Sequence, residues 1–164
     1  AEGRHAVQKE KEHIMNITSE DKKALKGRGY IMCRDGNHFI ARIITVDGTL
    51  DAHEMEVLKE AAQKFGNGKI ALTTRLTLEV QGLTYDNIEP FNTFIAQAGL
   101  YTGGTGSRVR PIVACKGTVC IHGLIDTQEL ARELHETFYK GWSNFPTSSK
   151  SASAAAQTTV LSQV

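Results

Sequence analysis

An excess of charge of either sign is missing from this chain. Its 164 residues carry 19 Lys plus Arg against 18 Asp plus Glu. Nothing in that balance suggests a nucleic-acid partner or attraction to a membrane surface. Long hydrophobic runs are missing too. No apolar stretch approaches the ~18 residues of a membrane span. The N-terminal stretch with Glu2, Arg4, Lys9, Glu10, Lys11 and Glu12 lacks the apolar segment of an export signal. A cytoplasmic location is the expectation. Cysteine is scarce: three residues without an export signal do not make a disulfide framework. A close pair among them reads first as a metal or redox site in a reducing compartment. Hydrophobic residues, at 40%, are enough for the core of one domain or a little more.

The ends differ from the middle. Residues 1–14 are polar and without period, and Met15-Asn16-Ile17-Thr18 resembles a protein start. Lys9-Glu10-Lys11-Glu12 can be encoded by AAGGAG repeats, as in a purine-rich ribosome-binding site. Residues 1–14 are therefore expected to be a translated leader outside the fold. The alternative is an ordinary charged N-terminus. At the other end, residues 145–164 are a Ser/Ala/Thr/Gln run expected to be disordered.

Periodicity lies between. Residues 38–46 are β-branched and partly alternating, which predicts a strand, and Asp47-Gly48 a turn. Asp51 and Glu54 have capping-box spacing ahead of a helix with Ala52, Met55, Leu58, Ala62 and Phe65 on one face, stopped by Gly66. Residues 69–81 read as one longer strand ended by Gly82. Asp86 and Glu89 repeat the cap spacing before a helix carrying Phe91, Phe94, Ile95 and Ala98. Thr102 to Ser107 reads as a flexible Gly-rich loop. Asp126 and Glu129 begin a last helix with Leu130, Leu134 and Phe138 buried. Strand, helix, strand and helix predict an α+β, ferredoxin-like sandwich of βαβ type.

Chemistry concentrates after the Gly-rich loop. In Cys115-Lys-Gly-Thr-Val-Cys120, two thiols separated by a short bend can face one metal or cluster. Two buried free cysteines are the plain alternative. Cys33 stands alone and reads as a core or strand-edge residue. Arg75 interrupts an apolar, Thr-rich strand, as an anion ligand would. Arg108 and Arg110 flank Val109 and would project to one side of an extended segment. Together the arginines suggest an acidic cofactor or anion, against the alternative of a solvated basic edge. His38, His53 and His135 read as surface or helix positions, and His122 lacks companions at zinc-like spacing. No Ser/His/Asp set, P-loop or dinucleotide fingerprint is present.

Two segments resemble the siroheme-dependent nitrite and sulfite reductases. Phe65-Gly-Asn-Gly-Lys-Ile-Ala-Leu-Thr-Thr-Arg75 with Glu79-Val-Gln-Gly82 is similar to that family's ferredoxin-like half domain. Val109 to Cys120 with Gly123-Leu-Ile-Asp126-Thr127 is similar to its first cluster-binding motif. The resemblance covers residues 16–144, with a half domain over 15–106 and part of a siroheme/[4Fe–4S] domain over 107–144. It implies six-electron reduction of sulfite to sulfide, or nitrite to ammonia, with electrons from a donor protein or subunit in a possible homo- or hetero-oligomer. It implies Cys115 and Cys120 as ligands of a [4Fe–4S] cluster. Arg75 and Arg110 would serve the anionic substrate, and Arg75, Arg108, Arg110 and Thr118 the siroheme.

The chain also departs from that family. The first cysteine pair has four intervening residues where the family usually has five. The family's second pair, in Gly-Gly-Cys-Pro-Asn-Asn-Cys, is absent, as is a Lys-x-Lys element after the first pair. Back-translation accounts for both. Residues 145–163, written with permitted codons from TTC CCC ACA AGT TCA AAA TCG GCG and read one nucleotide earlier, give LPHKFKIGVGGCPNNCVKP. The tail is therefore expected to be a frameshifted copy of the second motif, and the chain to be inactive or impaired alone. Two other readings remain: an accessory protein whose cysteines bridge a cluster across a dimer, and a cofactor-free ferredoxin-like structural module.

Overall fold

The computed structural model describes residues 17–106 and 110–140. The proposed leader, Arg108 and the tail 145–164 lie outside them. Helix α1 (Ser19–Gly27) starts at a complete capping box between Thr18 and Asp21, a spacing that the sequence displays but that carries little apolar period beside it. Strand β1 (Tyr30–Met32) turns into β2 (Phe39–Ile43), where burial alternates strictly because alternate side chains face the helices. Asp47 and Gly48 both have positive φ, 56° and 87°, and so make the expected tight turn.

Helix α2 (Ala52–Phe65) begins as its sequence predicts. Asp51 Oδ1 accepts the Glu54 N–H at 2.7 Å, and Glu54 Oε2 accepts the Asp51 N–H at 2.7 Å. Its buried stripe is Leu58, Ala61 and Ala62, whereas Ala52 and Met55 in the first turn, expected on the buried face, are both exposed. Gly66 ends the helix for a steric reason. A Cβ there would lie 2.5 Å from the Gln81 carbonyl oxygen, where the chain crosses to the sheet.

The segment 69–81 is not one strand. It is a hairpin of β3 (Ile70–Leu72) and β4 (Leu78–Leu83). Thr73 and Thr77 close the turn: Thr73 N–H donates to the Thr77 carbonyl at 3.0 Å, and their hydroxyls pair at 2.7 Å. Threonine's strand preference masks this turn in sequence. Gly82 does not end β4. With φ at 82°, it sits where the β2–β4 register shifts, as a bulge, and pairing resumes at Leu83.

The sheet order is β1-β2-β4-β3, and every neighbouring pair is antiparallel. β2 and β3 are thus parallel, joined by α2, with β4 inserted between them: the split crossover of a ferredoxin-like α+β fold. Helix α3 (Ile88–Ala96) packs beside α2, burying Phe91 and Ile95. It grows from a 3₁₀ turn at Tyr85–Asn87, which places the helix cap at Asn87 rather than at Asp86; Asn87 donates its side-chain amide to the Phe65 carbonyl at 3.2 Å.

The Gly-rich segment is packed rather than loose. Gly103, Gly104 and Thr105 are buried, and Thr105 Oγ1 donates to the Lys26 carbonyl. Gly103 N–H donates to the Arg42 carbonyl at 3.1 Å. Helix α4 (Thr127–Leu134) is capped by Asp126, whose Oδ1 accepts from Gln128 and Glu129 N–H, and it continues as a π-helical stretch, His135–Lys140. Leu130 and Leu134 are half-buried, while the Phe138 side chain lies outside the described residues. No helix among the described residues is long and apolar enough to cross a membrane.

Replacing Asp51 by Ala removes the α2 cap. It is expected to lower stability by about 1 kcal/mol. A urea melt should show a lower midpoint with an unchanged slope.

Candidate anion and thiol site

The face of the sheet turned away from α2 and α3 carries charge. Arg42 on β2 and Glu79 on β4 are register partners, and both alternate with buried core residues. Their side chains are each 17% exposed. Glu79 Oε1 accepts from Arg42 Nε at 3.1 Å and Nη2 at 2.6 Å. At this depth a carboxylate held by two N–H donors largely neutralises the guanidinium.

Two further arginines reach this face. Arg75 lies in the β3–β4 turn rather than within a strand, half-buried beside Leu76, whose φ is 57°. Arg110 enters from the Gly-rich seam and donates from Nη1 to the Gly104 carbonyl at 2.7 Å. Burial, then Arg75, then Arg42 push the Arg110 guanidinium below its usual proton affinity. Guanidinium groups that act on one another in this way are neighbours. Of these three arginines, only Arg42 has a carboxylate within ion-pair distance among the described residues. The cluster thus keeps unneutralised positive charge on half-buried donors, which suits an oxyanion or carboxylate.

The cysteine loop follows Arg110 in the chain. Pro111 and Ile112 are buried and anchor it. Cys115, Thr118 and Cys120 are exposed around a 3₁₀ turn, Gly117–Val119. Gly117 is forced by space, since a Cβ there would lie 2.8 Å from Thr127 Oγ1. Cys115 Sγ sits 3.4 Å from Thr127 Oγ1 and accepts the Gly117 N–H at 3.4 Å. Those two contacts, the hydroxyl first, hold its thiol below the ordinary range, because they favour the thiolate. All three cysteines are free. Cys33 is half-buried just past β1, the strand-edge position expected, with its thiol pushed up by burial and by Asp35.

Arg75 and Arg110 are thus brought together, while Arg108 lies outside the described residues. Arg42, Glu79 and Thr127 are the functional candidates that sequence reasoning did not single out. Arg42 and Glu79 each read as the polar half of an alternating strand, and only strand register pairs them. His135 corrects an expectation in the other direction: it is fully buried, with Nε2 hydrogen-bonded to the Tyr101 hydroxyl. No group of three or more His, Cys, Asp or Glu residues placed to hold a metal occurs among the described residues.

A ferredoxin-like half domain bearing arginines and followed by a thiol loop defines the class. Residues 33–98 match the model of the nitrite/sulfite reductase ferredoxin-like half domain. It is 32% identical over 114 residues to an uncharacterised protein of Methanocaldococcus jannaschii, covering 70% of this chain and 40% of that one. It is 33% identical over 105 residues to the coenzyme F420-dependent sulfite reductase of the same organism, covering 63% of this chain and 17% of that one. Against one subunit of the anaerobic sulfite reductase of Salmonella typhimurium, identity is 33% over 112 residues, covering 56% of this chain and 32% of that one. The chain therefore spans well under half the length of these relatives. The structure of the Mycobacterium tuberculosis NirA protein shares the fold, with a TM-score of 0.65 at 15% identity over 78% of this chain and 29% of that one.

Thr127→Val removes the hydroxyl beside Cys115 and should raise its thiol pKa. In a chain with Cys33 and Cys120 replaced by Ser, iodoacetamide alkylation at neutral pH is expected to slow. The rate–pH profile should move to higher pH, and an unmoved profile would show that the hydroxyl has no such role.

Proposed function

We propose that this chain is a piece of a sulfite or nitrite reductase that supplies the anion-binding part of the reaction centre. The observation that carries this reading is the arginine cluster. Arg75 and Arg110 are half-buried, close enough to feel each other, and unpaired with any carboxylate among the described residues, in a half domain of this family.

The arginines fit an anionic group, either sulfite or nitrite itself or the carboxylates of siroheme. Arg110 is oriented by the Gly104 carbonyl, and Arg75 by the turn that Thr73 and Thr77 close. Their N–H donors stabilise charge gathering on oxygen as a bond to it weakens. Arg42, tied to Glu79 and largely neutralised by it, offers no free ion-pairing partner. Thr118, exposed between the cysteines, offers a hydroxyl to the same cofactor; Arg108 is assigned to it on sequence grounds alone.

The thiols fit less completely. Cys115 and Cys120 supply two ligands, whereas a [4Fe–4S] cluster takes four. No third ligand joins them among the described residues. The described residues alone do not close such a site. The second cysteine pair that the shifted reading of 145–163 restores would complete it. The sulfur and nitrogen redox chemistry belongs to the siroheme and cluster when bound. A cytoplasmic setting, an electron-donor protein and association with further subunits belong to the same proposal. The last of these is supported by the Salmonella relative, which is itself one subunit of its enzyme.

Two measurements test this reading. Titration of the purified chain with sulfite by calorimetry should show weak saturable binding. Arg75→Gln and Arg110→Gln should each weaken it about tenfold, the loss of one charge-assisted hydrogen bond. Unchanged affinity in both variants would overturn the anion assignment. The second measurement compares the chain as it stands with a version whose reading frame is restored at the Asn144 codon, both purified anaerobically. The restored chain should gain siroheme and cluster absorbance that the present chain lacks. Codons incompatible with the shifted reading would end the frameshift proposal. One cluster per two present chains, without siroheme, would replace it with the dimer-bridged reading.

A further inference from the structure

We propose that the cavity beneath the β2–α2 loop binds a primary alkylammonium group, with the buried carboxylate of Asp47 as its acceptor. The cavity, of about 470 Å³, lies between residues Ile44–Glu54, the segment ending at Tyr101, and helix α4. It is the size of a small-ligand pocket and shares no lining residue with the arginine cluster or the thiol loop.

Asp47 is 6% exposed. Its Oδ1 accepts the Thr49 N–H at 3.2 Å and the Thr49 hydroxyl at 2.6 Å. Its Oδ2 is shielded from bulk water and has no hydrogen-bond partner among the described residues. An oxygen so placed has lost water without gaining a donor, which costs free energy. In a folded protein it calls for a missing donor. Thr49 cannot supply one, because its N–H and its hydroxyl are both shared between Oδ1 and the Val46 carbonyl.

The remaining walls select the donor's chemistry. Three carboxylates, Asp47, Asp51 and Glu54, face one guanidinium, Arg132, and one imidazole, His135, whose Nε2 is held by the Tyr101 hydroxyl, so the lining favours a cation. Arg132 is turned to its own helix, donating from Nε at 3.1 Å and Nη2 at 2.6 Å to Glu129. Asp51 and Glu54 are occupied with each other's backbone in the α2 cap. A metal ion is disfavoured, because no three ligating side chains converge there among the described residues. One open oxygen matches a single N–H of an ammonium better than the fork of a guanidinium. Ile44, Leu50 and Leu100 add apolar wall for an alkyl chain.

The test is a two-dimensional NMR titration of the full chain with n-butylammonium chloride at constant ionic strength. Tetramethylammonium chloride, a cation without N–H donors, is the control. Saturable shifts confined to the amides around Asp47, Thr49 and Tyr101 are expected with butylammonium alone. Asp47→Asn keeps the size of the side chain, its tolerance of positive φ and an acceptor for Thr49, but puts an amide where the open oxygen was. It should abolish the response while the rest of the spectrum stays in place. Arg132→Gln removes the competing cation and should tighten binding several-fold, which tests the site even where the Asn variant fails to fold. Equal response to tetramethylammonium, or a response unchanged in both variants, would overturn the proposal. A blocked Gly-Lys-Gly peptide separates the sources of the same chemistry. Tighter binding than butylammonium assigns the group to a lysine of a partner polypeptide, and equal or weaker binding to a free amine.

Discussion

Two glycines meet back to back, and the position of the reactive segment depends on that meeting. A Cβ on Gly29 would lie 2.4 Å from the Gly103 backbone nitrogen. Any side chain there would push the Gly-rich segment off the sheet. Because nothing intervenes, Gly103 N–H reaches the Arg42 carbonyl and Arg42 N–H reaches the Gly29 carbonyl at 2.9 Å. The segment is thereby hydrogen-bonded beside β2. Gly104 then packs so closely on Pro111 that a Cβ would sit 2.8 Å from its ring. The Arg110 side chain reaches back to the Gly104 carbonyl, and the cysteine loop departs from a fixed point. A sequence rich in glycine here signals close approach rather than looseness.

The charge on the sheet follows from this geometry. Three guanidinium groups near one another, half out of water, repel, and the fold accepts that cost at the expense of Arg110's proton affinity. Glu79 offsets one of the three. Its position is fixed by strand register, directly opposite Arg42. A second carboxylate in reach of Arg75 or Arg110 would have cancelled the field and removed any reason for an anion to enter. Among the described residues, one ion pair thus stands beside two cations that have no carboxylate in ion-pair distance.

The sequence made local features legible and hid those that depend on register. The Asp51–Glu54 box, the Asp47-Gly48 turn and the Asp126 cap are all short-range hydrogen-bond patterns, and all three form. The hairpin within 69–81 was hidden because Thr73 and Thr77 look like strand residues until their hydroxyls pair across a turn. Arg75 and Arg110 were recognisable as odd residues, one in an apolar stretch and one beside a Gly-rich segment. Their proximity was not, since 35 positions separate them in the chain and only the seam beside β2 closes that gap. Arg42 and Glu79 were silent for the same reason: alone, each is an ordinary solvent-side residue of a strand. His135 lies in a helical stretch, one of the two positions expected of it, but is buried rather than at the surface, because Tyr101 draws its ring inside.

Fold and chemistry also separate along the chain. Every residue of the main core cluster, from Leu25 to Leu100, precedes the arginine and cysteine segment at 110–120. Ile112 and Ala131 are buried beyond that cluster, so the C-terminal segment rests on the half domain without completing its core. Among the described residues, the hydrophobic term that stabilises the sheet and its helices therefore comes from the half domain itself. Among the described residues, core and candidate chemistry thus draw on different stretches of the chain: the half domain supplies the core, and Arg110, Cys115 and Cys120 follow it.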